Sequence, residues 1–559
     1  MKRDLIKLAE EKFDLAVIGA GIYGACIAWD ASLRGLKVAL LDKVDFGHAT
    51  SANSLKTVHG GLRYLQQVDF KRMRESIMER RTLMRIAPHL VHPLPCLMPT
   101  YGHMFKGREV MAIALLINDI VGFDRNSSMS PLRYLPRGQT ISRDHCLSLL
   151  PGINSKNLTG GAIWYDCQMY NSERLTLAFI LSAAYRDAVI ANYVKATGFL
   201  YDDNTITGIK AVDELSGDSL DIHATTVVNA SGPWVDKVLS QTNENQQLGV
   251  RLAKAVNIST KSLFEKYAVG LYGKNRHQDS DAVLKKGGRL FFVSPWRDQS
   301  LIGTTYKPYD GNPDHLMVTE ADVQELLDEI NYGCPGAALS RDEVRFVYAG
   351  LVPVSGFDPQ TGTVQRAKKY RIVDHRRHGL NGLISVLGVK YTTARDVAEK
   401  VVDLVFAMQG IKPPKSKSKD VALYGGDIEH FEDYIEKQIV GNQFDLSDIQ
   451  LQNLIFSYGS AYTKVLNYFY PQHYDGKVRS SNELSLLQAE IRYSVKHEMA
   501  QKLSDVIFRR TDIGTLGYPG TFLLQTAANI MGKCLSWSES KIKEEYEDVK
   551  SLFLPILRT

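Results

Sequence analysis

Gly19-Ala20-Gly21-Ile22-Tyr23-Gly24 follows the short apolar run Asp14 to Ile18 and precedes a helix-compatible stretch, Ala25 to Leu33. A second apolar run, Lys37 to Leu41, then ends at the acid Asp42. Strand, glycine turn, helix, strand and acid in that order suit a dinucleotide. Gly19 permits the tight turn, Gly21 lets the backbone approach a diphosphate, and Gly24 lets the helix pack on the strand. The helix N-terminus offers N–H groups and partial positive charge to the phosphates. Asp42 is placed to accept hydrogen bonds from an adenosine ribose, and an acid there argues against a 2′-phosphate. FAD or NAD is therefore expected rather than NADP.

The segment after the acid favours FAD. Lys43 and the hydroxyl- and amide-rich loop Thr50-Ser51-Ala52-Asn53-Ser54 lead to Lys56 and then to His59-Gly60-Gly61-Leu62-Arg63-Tyr64. A glycine pair lets backbone lie close against a flat ring system. This arrangement resembles the FAD-dependent glycerol-3-phosphate dehydrogenases, in which an H-G-G-L-R-Y segment comes after such a loop. Val228-Asn229-Ala230-Ser231-Gly232-Pro233-Trp234 looks like the family's second flavin-touching turn, and Ser385 to Thr393, with Gly388, Lys390, Tyr391, Thr392 and Thr393, resembles its G-G-K-x-T-T segment. Arg289 to Trp296 and Ile302 to Thr305 are similar to its substrate-domain strands, and Asp505 to Thr511 to part of its helical tail.

The resemblance implies noncovalent FAD and oxidation of sn-glycerol 3-phosphate to dihydroxyacetone phosphate by hydride transfer to flavin N5, with a quinone as final acceptor. It implies FAD contacts from Gly19, Gly21, Gly24, Asp42, Lys43, Thr50, Ser51, Lys56, His59, Gly60, Ser231, Gly232, Trp234, Gly388, Lys390, Tyr391, Thr392 and Thr393. Arg63, Tyr64, Lys390 and His59 are the residues expected at the substrate. At two positions the sequence departs from the family. Tyr348-Ala349-Gly350-Leu351-Val352-Pro353 carries Val352 where the family has a phosphate-binding arginine, and Lys254-Ala255-Val256-Asn257 carries Asn257 where it has a histidine. Arg366, Lys368, Lys369 or Arg371 could supply the missing charge. Two alternatives stay open: a related flavoenzyme acting on another alcohol or amine, and a flavin-binding regulatory or assembly protein with little turnover.

Positioning these segments needs a chain that leaves the nucleotide sheet and returns to it. The expected architecture is an α/β FAD-binding domain (1–90, 155–250, 340–410) interleaved with an antiparallel-sheet substrate domain (91–154, 251–339), then an all-α C-terminal domain (411–559). The break at Gln409 to Asp420 carries two prolines and alternating Lys and Ser, and reads as a solvated linker. Ser447-Asp448-Ile449-Gln450 has capping-box spacing, and Leu484, Leu487, Ile491 and Val495 share a helix face. Arg509 and Arg510 read as helix-surface or interdomain ion pairs. A length of 559 residues suits several units, and 44% hydrophobic with 23% charged residues is ordinary globular usage. A net charge of +5 implies no dedicated nucleic-acid surface. Six scattered cysteines without a C-x-x-C pair imply a reducing compartment and no metal site. The expected location is cytoplasmic, with peripheral membrane contact and a homodimer left open. Val110 to Ile117 is too short to span a bilayer and reads as a core helix.

Overall fold

The computed structural model describes residues 1–102, 107–274, 290–358, 363–444, 446–470 and 481–557. The strand Lys12–Ile18 lies in the middle of a sheet whose parallel core runs Leu383–Leu387, Ser219–Asn229, Lys12–Ile18, Val38–Leu41, Val189–Ala191. Its residues alternate between two cores. Leu15, Val17, Leu40 and Ile384 face the helices Ile22–Leu33, Ser172–Ala184 and Ala394–Met408, while Ala16, Ile18, Ala39 and Leu41 face the hairpin Val194–Asp202 and Thr205–Asp213. Burial on both faces is why these strands read as unbroken apolar runs.

The second sheet runs Val364–Arg366, Val344–Phe357, Arg251–Lys261, Gln299–Tyr309, Leu290–Trp296, Ala268–Tyr272, Val91–Tyr101, Leu158–Met169, Thr57–Val58, with Gln139–Ser142 beside Leu158–Met169. It is mixed rather than wholly antiparallel, because Ala268–Tyr272 pairs with Val91–Tyr101 in parallel. The chain passes through the nucleotide sheet between those two strands, and a connection that long does not force a reversal of direction. Sheet membership also differs from the expected segment limits: Leu158–Met169 and Val344–Phe357 belong to the second sheet, not the first.

Beyond residue 420 the chain is helical. Ser447 and Gln450 form the expected capping box at the start of Asp448–Tyr458. In the helix Ser481–His497, Leu487 and Ile491 are buried, with Leu484 and Val495 packed beside them. Two expectations fail. The segment at 409–420 is not a solvated tether throughout: Lys415, Lys417 and Lys419 are exposed, but Ser416 and Ser418 are buried. Extended chain alternates its side chains, and the serines are held inside by Asp30, which accepts from Ser416, and by Arg395, which donates to Ser418 at 3.0 Å. Nor is the apolar run at 110–117 a core helix. In Arg108–Val121 only Met111 and Leu115 are buried, and Ile113, Leu116 and Ile120 are 59–62% exposed, followed by Phe123 at 80%. A narrow inward stripe leaves Ile113, Leu116 and Ile120 exposed, while Val110, Ala114 and Ile117 stay partly buried.

Candidate active site

Both sheets line one cavity of about 2190 Å³ that contains the glycine-rich turn, the H-G-G-L-R-Y segment and the loop before Ala394–Met408. At Gly19 φ is +101°, and an added Cβ would stand 2.8 Å from the Ala230 carbonyl oxygen and the Ser231 Cα, so only glycine fits. Gly24 is required for packing: its Cβ would lie 1.8 Å from the Gly19 oxygen. Gly21 caps the helix Ile22–Leu33, where Ser51 Oγ accepts from the Ile22 N–H at 3.0 Å. Asp42 accepts from the Ala20 N–H at 2.8 Å and the Val44 N–H at 3.1 Å, which ties the second strand to the glycine turn. Its oxygens keep acceptor capacity for a ribose, and burial pushes its pKa up.

Lys43 and Trp234 line the cavity, both tied to one carboxylate. Asp314 pairs with Lys43 and Lys237 and accepts from Trp234 Nε1 at 2.7 Å, with the Lys43 ammonium 4.1 Å from the Trp234 ring centroid. Ser231 and Gly232 line the same wall, and Ser231 Oγ donates to Asn229 at 2.6 Å. Thr50 also lines it and donates to the Leu351 carbonyl at 2.7 Å, tying the first sheet's loop to the second sheet.

Four expected contact residues do not line this cavity. Gly24 packs against the Gly19 turn instead. Lys56 is fully buried, with its ammonium on Glu173 at 2.7 Å and Ser172 at 3.1 Å and over the rings of Trp296 and Tyr348. A buried lysine takes a carboxylate partner, and Glu173 supplies it from inside the fold. Gly60 faces Arg80 and donates its N–H to Asp166 at 2.6 Å. Thr393 is the N-cap of Ala394–Met408 and is buried.

The remaining residues gather in one place. His59 Nδ1 lies 3.1 Å from Asp166 Oδ2, and Asp166 also receives Arg80 at 3.1 Å. Although burial opposes it, hydrogen bonding from His59 together with the charges of His59 and Arg80 holds the Asp166 carboxyl below its usual range. With Nδ1 held by Asp166, Nε2 is the ring nitrogen left to exchange a proton. Thr392 Oγ1 accepts from the His59 N–H at 3.3 Å. The Lys390 ammonium stands 4.0 Å from the Tyr64 ring centroid, and burial lowers its pKa to about 8. Its backbone is fixed by Tyr23, whose hydroxyl donates to the Lys390 carbonyl at 2.7 Å. Gly388 lies against the same Tyr23 ring, where a Cβ would come within 2.0 Å. Tyr391 lines the cavity while its hydroxyl donates to the Ser172 carbonyl at 2.9 Å. Arg63 is exposed and Tyr64 half-buried, on the turn Leu62–Gln67 that Gly61 opens at φ +85°.

Val352 and Asn257 line the cavity too. Asn257 accepts from Thr304 at 2.6 Å and has no proton-accepting nitrogen. Arg366 arrives from the neighbouring strand, opposite Val354, and its guanidinium lies 5.5 Å from the Tyr306 ring centroid. Sequence reasoning does not find Asp166 or Tyr23. Asp166 has one signal, an acid inside the apolar strand Leu158–Met169; Tyr23 has none, since any residue satisfies that position of the glycine motif.

A side-chain-free helix start at Gly21, hydroxyls from Thr50 and Ser51, the Asp42 carboxylate and a backbone wall at Gly388 and Val389 together fit FAD. Residues 14–395 match the family model described as FAD dependent oxidoreductase, and residues 416–542 that of the C-terminal domain of alpha-glycerophosphate oxidase. A glycerol-3-phosphate dehydrogenase of Synechocystis is 31% identical over 558 residues, covering 98% of this chain and 97% of that protein. The aerobic glycerol-3-phosphate dehydrogenase of Staphylococcus aureus strain USA300 is 30% identical over 565 residues, with 98% and 96% covered. Among solved structures, the FAD complex of a Bacillus halodurans glycerol-3-phosphate dehydrogenase matches with a TM-score of 0.76 at 26% identity, over 98% of this chain and 96% of that one. The chain is an FAD-dependent oxidoreductase and belongs to the glycerol-3-phosphate dehydrogenase family.

Proposed function

We propose that the chain oxidises sn-glycerol 3-phosphate to dihydroxyacetone phosphate and that its electrons leave for a quinone. The observation that carries this reading is the shared cavity: His59, oriented by Asp166, faces the same space as Lys390, Arg63 and Arg366. Bound flavin supplies the two-electron acceptor that alcohol oxidation requires. His59 Nε2 takes the hydroxyl proton, and Asp166 stabilises the imidazolium that results. Arg63, Lys390 and Arg366 hold the phosphate, with arginine's planar fork matching its oxygens. Arg366 restores the charge that Val352 lacks: cross-strand partners share a face, which puts Arg366 on the side of Val354 and Val352. Anaerobic titration of the purified yellow protein with glycerol 3-phosphate should bleach the flavin absorbance, while glycerol alone should not. No bleaching at millimolar glycerol 3-phosphate would move the substrate to another alcohol or amine and leave FAD in place.

The outward face of Arg108–Val121 is the proposed membrane contact. Ile113, Leu116 and Ile120 recur at helical spacing on its exposed side, and the exposed Phe123 follows just beyond its end. Val110, Ile113, Ala114 and Ile117 also line the cavity, so an apolar acceptor leaving a bilayer would meet the site through the same helix. No helix among the described residues is long and apolar enough to cross a membrane, so the contact is peripheral. The six free cysteines support the cytoplasmic side. Sedimentation with anionic phospholipid vesicles should carry the protein down, and Ile113→Ser with Leu116→Ser should release it.

A further inference from the structure

The helical domain touches the cofactor cavity through a loop it does not itself contain. Asp42, Lys43, Gly47, His48, Thr50 and Ser51 line the cavity, but Asp45 in the same loop does not: it is fully buried and bonded to the helical domain. Its carboxylate accepts from Arg509 Nε at 2.6 Å, from Arg510 Nη1 and Nη2 at 2.8 Å each, and from Asn192 Nδ2 at 3.0 Å. Both arginines are fixed from behind. Arg509 donates to Asp505 at 2.7 Å, and Arg510 donates to the Glu498 carbonyl from Nε at 3.2 Å and Nη2 at 3.0 Å. The Glu498 carboxylate in turn grips Arg174 at 2.8 Å, on the flavin-domain helix Ser172–Ala184. Burial opposes the Asp45 charge, yet the two guanidinium groups outweigh it and hold the carboxyl below its usual range.

On its other side the same loop is sewn to the nucleotide sheet. Gly47 N–H donates to the Ala20 carbonyl at 3.0 Å, Tyr193 N–H to the Val44 carbonyl at 3.0 Å, and Asp42 N–H to the Ala191 carbonyl at 3.1 Å. The loop that carries the ribose acceptor therefore has one edge on the glycine turn and its middle in a two-arginine clamp from a different domain. We propose that Arg509 and Arg510 are positioning residues for FAD, acting through Asp45, so that FAD binding and docking of the helical domain strengthen each other. Such coupling is reciprocal: whatever the docked domain adds to FAD affinity, bound FAD returns to docking.

Full-length apoprotein titrated with FAD by flavin fluorescence tests this. Arg510→Gln should weaken FAD binding by at least about tenfold. Arg510→Lys, which keeps the charge and loses the fork, should recover part of that. At saturating FAD any loss of kcat/KM for glycerol 3-phosphate in either variant should be smaller than its loss of FAD affinity. Leu524→Ala, a fully buried position in the helical core, controls for general loosening and should lower the melting temperature without changing FAD affinity. Unaltered FAD affinity in folded Arg510→Gln would overturn the proposal, as would an equal loss in Leu524→Ala. Should Arg510→Gln fail to fold, wild-type hydrogen exchange decides. FAD should slow exchange across 503–511 more than across the helix Thr521–Leu535, and equal slowing in both would overturn it.

Discussion

The region proposed to cradle the dinucleotide and the region proposed to meet the substrate are built on different physics. Around Gly19, Gly21 and Asp42 the contacts are made by backbone groups of the glycine turn, to fixed chain, to the Asp42 carboxylate and to the Ser51 hydroxyl. Around His59, Lys390 and Arg366 the contacts are between side chains brought in by both sheets. A backbone cradle tolerates few substitutions, because the group to be avoided is fixed chain. A side-chain pocket can exchange one residue for another on an adjacent strand, as proposed for Val352 and Arg366.

The first prediction presses on the cradle. Gly24→Val forces atoms into the Gly19 carbonyl and should abolish the soluble yellow protein. Gly21→Val meets only Ser51 Oγ at 3.1 Å, so it should fold yet lose FAD, since the lost approach matters to the diphosphate alone. Melting curves with and without FAD separate the two outcomes. A yellow, stable Gly24→Val would show the cradle to be softer than its geometry requires.

In the pocket the effects should be graded rather than absolute. His59→Ala should retain FAD and lower kcat by roughly 10²–10⁴, the range for a positioned base. Asp166→Asn should cost less, because it disturbs the tautomer and not the base itself. Stopped-flow bleaching reads both, and wild-type rates in His59→Ala would remove histidine from proton transfer. Arg366→Ala should lose about 1.5–3 kcal/mol of substrate binding, or roughly one to two decades in kcat/KM. Val352→Arg in that background should restore part of the loss. If Val352→Arg is harmful and Arg366→Ala harmless, another cation holds the phosphate.

How far each region is legible in the sequence obeys the same division. The strand–turn–helix–strand order and the capping box at Ser447 depend on local pattern, and the sequence carries them; the limits of the interleaved segments do not, and Leu158–Met169 and Val344–Phe357 fall in the other sheet. Lys56 escapes such a reading because its partner Glu173 lies far along the chain, and a buried ion pair leaves no local trace. Ser416 and Ser418 escape it for the same reason: their partners Asp30 and Arg395 decide their burial. The helix Arg108–Val121 shows the converse. Its apolar content is plain in the sequence, but only the fold shows that the inward stripe is too narrow to use it.

The finest distinction between the two regions is in their response to pH. Burial alone is what lowers the Lys390 ammonium to about 8, so raising the pH through that value removes a positive charge from the pocket. If that charge holds the substrate anion, kcat/KM should fall by roughly tenfold between pH 8 and pH 9.5, because this ratio reports groups in the free enzyme. kcat should change far less, since the bound phosphate favours the protonated amine and lifts its pKa in the complex. FAD affinity should stay flat over the same interval, because Lys390 reaches toward Tyr64 and not toward the glycine turn. Lys390→Arg keeps its charge throughout and should erase the alkaline limb while retaining measurable turnover. A limb that survives in Lys390→Arg, or one that appears equally in kcat and in FAD binding, would assign the titration to a different group and detach Lys390 from the substrate.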